Sequence, residues 1–314
     1  MMSHQPQQGF TLVEMIMVIV ITGIIGGMVA VFLKAPIQQY MDVARRADMT
    51  DIADTALRRV GRDLRLALPN SVRVTGACGG AGTTCFIEFL PTTGGGRYRA
   101  AAATVGGAGC GSLAADVLDF SAADTCFEVL GPMPSMVAGA TPDQIVVYNQ
   151  GIPRPATCPA PLPALCGSDA YQGDNRTAFS SNPTATTVSI SAKQFPFDSC
   201  QTDPLTGRVE GCRFQVITTP VTYVCAPATD AAGNGTGTLK RWQGYAIQPT
   251  QPTTLPVTGT PSFSVLANNV SACTFTYDPS VVAQRYGLVT MNLAITESAE
   301  TVTLYSAAHV SNVP

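Results

Sequence analysis

From Gly9 to Leu33 the chain reads GFTLVEMIMVIVITGIIGGMVAVFL, and between Phe10 and Leu33 the only charge is Glu14. A run like this has few ways to fold. As a helix it would measure roughly 36 Å against a hydrocarbon core of about 30 Å, enough to span a bilayer with some tilt. A secretory signal would begin with basic residues, continue with a short apolar core and end in a small-residue cleavage site. Here the leader, Met1 to Gln8, has no Lys or Arg, and the small residue, Gly9, stands ahead of the apolar run. Cleavage at Gly9 would leave the helix on the protein. A carboxylate in an apolar helix costs about 2.5–3.5 kcal/mol at the bilayer centre and less near an end, so Glu14 needs a partner or the headgroups. A new amine on Phe10, one helical turn away, would be such a partner.

The order Gly9, Phe10, Thr11, two aliphatics, Glu14 and then an apolar run resembles the class III signal of type IV prepilins. The resemblance implies that a membrane-embedded prepilin peptidase cuts after Gly9 on the cytoplasmic side and N-methylates the new terminus at Phe10. It implies that Glu14 sets the register between subunits during assembly. The partners it implies are the prepilin peptidase, other minor and major pilins, and the pilus assembly platform protein of the inner membrane. The usual leader of that family carries one or two basic residues. Either targeting tolerates their absence here, or the true start lies upstream of Met1.

Ten cysteines follow the span: Cys78, Cys85, Cys110, Cys126, Cys158, Cys166, Cys200, Cys212, Cys225 and Cys273. None forms CxxC, and only His4 and His309 could join them in a zinc site, so disulfides in an oxidising compartment fit better. Nearest-neighbour pairing gives 78–85, 110–126, 158–166, 200–212 and 225–273, one of many possible patterns. Lys34, Arg45 and Arg46 follow the span and no basic residue precedes it. Counted alone, those charges would keep the C-terminal bulk in the cytoplasm. The cysteines and the prepilin pattern together outweigh them. The expected location is the bacterial inner membrane, single-pass, with the C-terminal domain in the periplasm and, after assembly, at a filament tip or the cell surface.

Pro36 interrupts the helical hydrogen bonding, but apolar residues then recur at helical spacing: Ile37, Met41, Ala44, Ile52, Ala56, Val60, Leu64 and Ala67. Arginines occupy the other side, and Leu68-Pro69-Asn70 is expected to end the helix. Gly23, Gly26 and Gly27 either permit close helix packing or are ordinary membrane-helix glycines. After Ser71 the period changes to two. Strands are expected near 72–75, 85–90, 97–101, 117–120, 126–130, 145–148, 187–191, 213–218, 221–225, 239–242, 245–248, 270–277, 288–295 and 301–307, the last two joined by a turn over 296–300. Residues 151–182 read as a loop insertion stapled by Cys158 and Cys166; 228–237 and 250–261 read as loops. The expected class is α+β and pilin-like. A long N-terminal helix, transmembrane and then amphipathic, packs on an antiparallel β-rich domain. The domains are a leader (1–9), a helix (10–68, with 10–33 in the membrane) and a periplasmic, disulfide-bonded domain (69–314).

No GxSxG, HExxH, Walker loop or dinucleotide fingerprint appears, and no metal or cofactor is expected. With a net charge of −3 and only 12% charged residues there is no basic stripe, so no nucleic-acid partner is expected. Asp169–Asp174 and Asp230–Asn234 offer oxygen ligands but read as turns. Trp242 and Tyr245 read as core. A β-rich domain of this size resembles minor pilins and J-type pseudopilins more than major pilins. ALPNSVRV (67–74), LANNVSACTFTYDP (266–279) and HVSNVP (309–314) resemble minor pilins of the mannose-sensitive haemagglutinin (MSHA) pilus system. That resemblance implies a structural role, not an enzymatic one, in starting or capping a filament. The alternatives are a J-type pseudopilin of a type II secretion system and a tip adhesin using the 151–182 loop.

Overall fold

The computed structural model describes residues 9–76, 78, 82–102, 109–136, 143–155, 158, 167–181, 183–184, 186–202, 204–205, 207, 209–256, 258–279 and 286–314. The leader ahead of Gly9, and Cys166 with its expected pairing to Cys158, lie outside them. The chain forms two compact units, residues 1–50 and 51–314. One helix, α1 (Leu12–Leu64), runs through the boundary and continues across Pro36.

Along the apolar run of the first unit the helix is bare. Every apolar side chain from Leu12 to Leu33 that the run supplies for a membrane stays exposed, Phe32 at 78% and Ile21 at 51%. The helix is long and apolar enough to cross a bilayer by length and composition.

In the second unit the helix buries Ala53, Ala56, Leu57, Val60 and Leu64, an i, i+3, i+4, i+7, i+11 stripe. Ile52, expected on that face, is 43% exposed. The face is rotated by one position because Ala53 and Leu57 extend the stripe of Ala56, Val60 and Leu64 better than Ile52 does. The helix also stops at Leu64, short of the expected 68: Leu68 N–H donates to Leu90 O (2.7 Å) and Thr92 N–H to Leu66 O (2.7 Å), pulling the chain into the edge of a sheet.

That sheet has seven strands in the order β1-β2-β11-β12-β13-β14-β15. They are β1 (Arg73–Gly76), β2 (Cys85–Phe89), β11 (Val221–Ala226), β12 (Gly237–Tyr245), β13 (Gly259–Asp278), β14 (Tyr286–Glu297) and β15 (Glu300–Ser311), all antiparallel. All of β2 is buried, so both faces of the sheet are covered there. On one face Asp63 of α1 accepts from Tyr223 Oη (2.7 Å) and Arg241 Nε (2.8 Å). On the other, Phe86, Val224, Trp242 and Tyr245 form a cluster with Leu255. Trp242 and Tyr245 are therefore core residues.

A second sheet has the order β6-β5-β10-β3-β4-β7: β3 (Thr92–Tyr98), β4 (Asp124–Leu130), β5 (Gln144–Val146), β6 (Arg176–Ala178), β7 (Thr187–Lys193) and β10 (Arg213–Ile217). Its core includes Tyr98, Phe127, Val129, Ile145, Val188, Phe214 and Val216. A two-stranded piece, β8 (Gln201–Thr202) with β9 (Val209–Glu210), stands apart and was not expected.

Several strand expectations move. β3 begins at Thr92, not 97, taking in TTGGG, and ends at Tyr98, short of 101. A Cβ at Gly96 would lie 2.7 Å from the Phe214 ring, so glycine is what lets this strand lie beside β10. Residues 117–120 form no strand: Leu118 N–H donates to Arg99 O and Glu128 N–H to Asp116 O, isolated contacts without a ladder. The two strands expected at 239–242 and 245–248 are one, β12, and β13 starts inside the expected 250–261 loop. The β14–β15 turn is tighter than 296–300. Glu297 faces Glu300 across Ser298 and Ala299, both at positive φ (51° and 64°), as a two-residue primed turn requires.

Four disulfides join Cys78–Cys85, Cys110–Cys126, Cys200–Cys212 and Cys225–Cys273. Cys158 is also disulfide-bonded.

Candidate functional site

Gly9, Phe10 and Thr11 precede the first helical residue, and Phe10 is 82% exposed. Thr11 is the helix N-cap: its Oγ1 accepts from Glu14 N–H (3.3 Å) and its carbonyl from Met15 N–H (3.2 Å). Glu14 thus stands at the third position of the first turn. The spacing Thr-x-x-Glu is that of a capping box, and a carboxylate there also faces the positive end of the helix dipole. The peptide bond after Gly9 is therefore non-helical chain ending against a defined helix start. Beside the amine of its own or a neighbouring Phe10, which the sequence offers as partners, Glu14 has this place in its own helix, and the signal for it is the Thr11-x-x-Glu14 spacing.

A second constellation, all within residues 51–314, was not expected. Pro69 and Asn70 stand just after the helix, and Asn70 has φ 59°, a conformation asparagine tolerates better than other branched residues. Asn70 Nδ2 donates to Asn149 O (2.8 Å) and Asn312 O (3.1 Å). Asn149 Nδ2 returns a bond to Pro69 O (2.6 Å), while its Oδ1 accepts from Ala170 N–H (2.9 Å). Asn312 Nδ2 donates to Pro279 O (3.2 Å) and its Oδ1 accepts from Tyr277 Oη (3.1 Å). The three stretches singled out in the sequence, 67–74, 266–279 and 309–314, therefore meet at one partly buried joint. The described part of the expected 151–182 loop belongs to it too. Ser168, Ala170, Tyr171 and Asn175 are buried, and Arg176–Ala178 is strand β6. Polar composition made that segment read as an external loop; its side chains instead satisfy buried backbone groups.

Beside the joint lies an ion pair whose carboxylate is buried and whose guanidinium is partly exposed. Glu88, fully buried in β2, takes Arg73 Nε (2.8 Å) and Nη2 (2.7 Å) on one oxygen and Tyr245 Oη (3.0 Å) on the other. Thr222 Oγ1 bonds to the same tyrosine. The Arg73 guanidinium sits 3.6 Å from the centre of the Tyr171 ring and donates to Pro249 O (2.6 Å) and Gln248 O (2.9 Å). Tyr171 Oη donates to Ser71 O (2.9 Å). Burial raises the Glu88 carboxyl above the usual range, against the opposing pull of Arg73. Asp169 is raised as well, first by burial. Both tyrosines, Tyr171 and Tyr245, are pushed well up by burial and stay neutral. Both oxygens of the buried Glu88 carboxylate have partners, which is the arrangement of a structural clamp.

The oxygen-rich turns close on themselves. Asp230 accepts from Ala232 and Asn234 N–H (2.9 and 2.8 Å) and from Asn234 Nδ2 (3.1 Å). Among the described residues no group of three or more His, Cys, Asp or Glu could hold a metal. His309 is exposed on β15, opposite Leu288.

Compared with known families, residues 5–30 match the prokaryotic N-terminal methylation motif. No curated protein and no solved structure matches the chain. The motif supports a pilin-like protein, and together with the apolar helix it fits a single-pass, membrane-anchored one.

Proposed function

We infer that the chain is a minor pilin, resembling the O component of the MSHA pilus system, that helps start or cap a filament. Prepilin peptidase would cut between Gly9 and Phe10 and methylate Phe10. The periplasmic β-rich domain, residues 69–314, would then sit at the tip with the helix behind it. One observation carries the reading. An exposed Gly9–Phe10 junction leads directly into a capped helix whose first turn holds Glu14 and whose next turns, to Leu33, are uncharged and exposed. A helix so bare needs lipid first and neighbouring helices later, which is the life of a pilin helix. The meeting of 67–74, 266–279 and 309–314 at one joint gives those stretches a shared structural reason and supports the MSHA-like assignment. A J-type pseudopilin of a type II secretion system would share this chemistry; neighbouring genes for one machine or the other separate the two.

Mass spectrometry of filament-associated protein is the direct test. The expected mature chain begins at N-methylated Phe10. An intact leader on that material would overturn the reading. Glu14→Ala should still be cleaved while its incorporation into filaments falls at least tenfold; normal incorporation would remove Glu14 from the assembly step.

A further inference from the structure

β13 is the longest strand, at 20 residues, and its two halves have different neighbours. The first half pairs with β12, from Gly259 opposite Tyr245 to Val270 opposite Gly237. The second pairs with β14, from Val270 to Asp278. The β14–β15 hairpin turns at Ser298–Ala299, level with Asn269, whose Nδ2 lies 3.4 Å from Glu297 Oε2. Residues 259–268 therefore have a strand on one side only, among the described residues. Ser262, Phe263, Ser264 and Val265 are exposed in succession. Alternate strand residues point to opposite faces, so four exposed in a row means that both faces and the edge are open.

An open edge presents a row of unpaired N–H and C=O groups, which another extended backbone satisfies. Proteins usually guard such edges with charge. Residues 259–268, GTPSFSVLAN, contain none, and Pro261 is their one guard. The side chains add a direction. Val265 lies opposite Lys240, which lies opposite Val224, which lies opposite Phe86; Phe263 lies opposite Trp242 on the same face. Phe86 and Trp242 lie with ring centres 5.8 Å apart, tilted by 55°, beside a cleft of about 440 Å³ that Leu255 and Phe263 also line. This row runs across four strands and ends exposed, Phe263 at 56% and Val265 at 45%.

We propose that residues 259–268 pair, antiparallel, with the same residues of a second copy of this chain, about a two-fold axis at Ser264. The segment is complementary to itself in that register. Phe263 of each copy meets Val265 of the other on one face, twice, and Ser264 meets Ser264. No like charges face each other. Cross-strand apolar pairs of this kind are the unit of sheet stabilisation, and a two-fold contact of like surfaces closes on itself. β15, the outer edge of the same sheet, exposes Thr301, Thr303, Tyr305, Ala307 and His309 instead, and lacks the apolar row. The inference does not depend on which filament the chain serves.

The test uses the full chain in its native membrane, carrying Ser264→Cys. Opposed residues of an antiparallel pair have Cα atoms about 4.5–5.5 Å apart, within disulfide range. A covalent dimer is expected on non-reducing gels, with mass spectrometry joining the two introduced thiols at position 264. Thr303→Cys on β15 should remain monomeric. Adding Phe263→Lys and Val265→Lys to Ser264→Cys should lower the dimer at least tenfold. The proposal is overturned by the absence of a 264–264 link, by a link to another protein, by equal dimer from Thr303→Cys, or by a dimer indifferent to the lysines. The last result would trace association to the N-terminal helix.

Discussion

The first and second units solve opposite problems. Residues 12–33 place apolar side chains outside, with nothing in the chain to cover them. Residues 51–314 place the Glu88 carboxylate and the amides of Asn149 and Asn312 inside, each with partners from distant parts of the sequence. A bare apolar helix is completed by its surroundings, so its energetics belong to lipid and to other subunits. A polar joint of this kind is completed by the chain itself, so its energetics belong to folding. Substitutions should divide along that line. Trp242, the lone tryptophan and a buried residue of the second unit, is a natural reporter of its unfolding.

The largest effect should come from breaking the ion pair. Arg73→Ala leaves Glu88 buried and unpaired, and denaturant unfolding followed by Trp242 fluorescence should show a loss of about 3–5 kcal/mol. A loss under about 1 kcal/mol would mean that Glu88 is not held by Arg73. Next is Asn70. Asn70→Ala removes two hydrogen bonds and puts a Cβ-bearing residue without asparagine's local bonding at positive φ, at a cost of about 2 kcal/mol. Asn70→Gly keeps the backbone at ease and should cost less; equal losses would locate the whole effect in the bonds to Asn149 and Asn312.

The pH response is smaller and has a definite sign. Burial raises the Glu88 and Asp169 carboxyls, so each binds its proton more tightly folded than unfolded. Their contribution to stability is then greatest at low pH and declines as pH rises from the ordinary carboxylate range through the raised folded values. Glu88→Gln should flatten that decline; an unaltered slope would assign it to Asp169 or elsewhere. The smallest effect on the reporter should come from the first unit. Thr11→Ala should cost about 1 kcal/mol of local helix stability, seen as faster amide exchange at residues 12–15, and leave Trp242 unfolding unchanged. Coupled loss at Trp242 would break the division between the units.

Much of this was open to reading from the chain. The span, Gly9, Phe10 and Glu14 lie in a contiguous stretch whose pattern carries its own meaning. β14 and β15 alternate cleanly and turn locally. The failures have a common cause. Nothing along the chain marks Glu88 in CFIEF as buried, and only Tyr245 and Arg73, brought from other strands, make it a core residue. The TTGGG stretch lies ahead of the expected 97–101 strand, because three glycines give no strand signal until the Phe214 ring is known to need the space. The helix face is off by one position, because Ile52 and Ala53 are both apolar and periodicity alone cannot choose between them.

By itself the sequence determined what depends on neighbours along the chain: an apolar helix, a processing motif, a change of period from helix to strand, and cysteines suited to an oxidising compartment. Tertiary structure alone decided where the polar residues go. Hydrogen bonds between Asn70, Asn149 and Asn312 join residues far apart in sequence, and their value depends on excluding water. It also left residues 259–268 open, because the β14–β15 hairpin stops at Ser298–Ala299 while β13 continues. Strand length is a local property, but an unpaired edge exists only relative to the strands that fail to cover it.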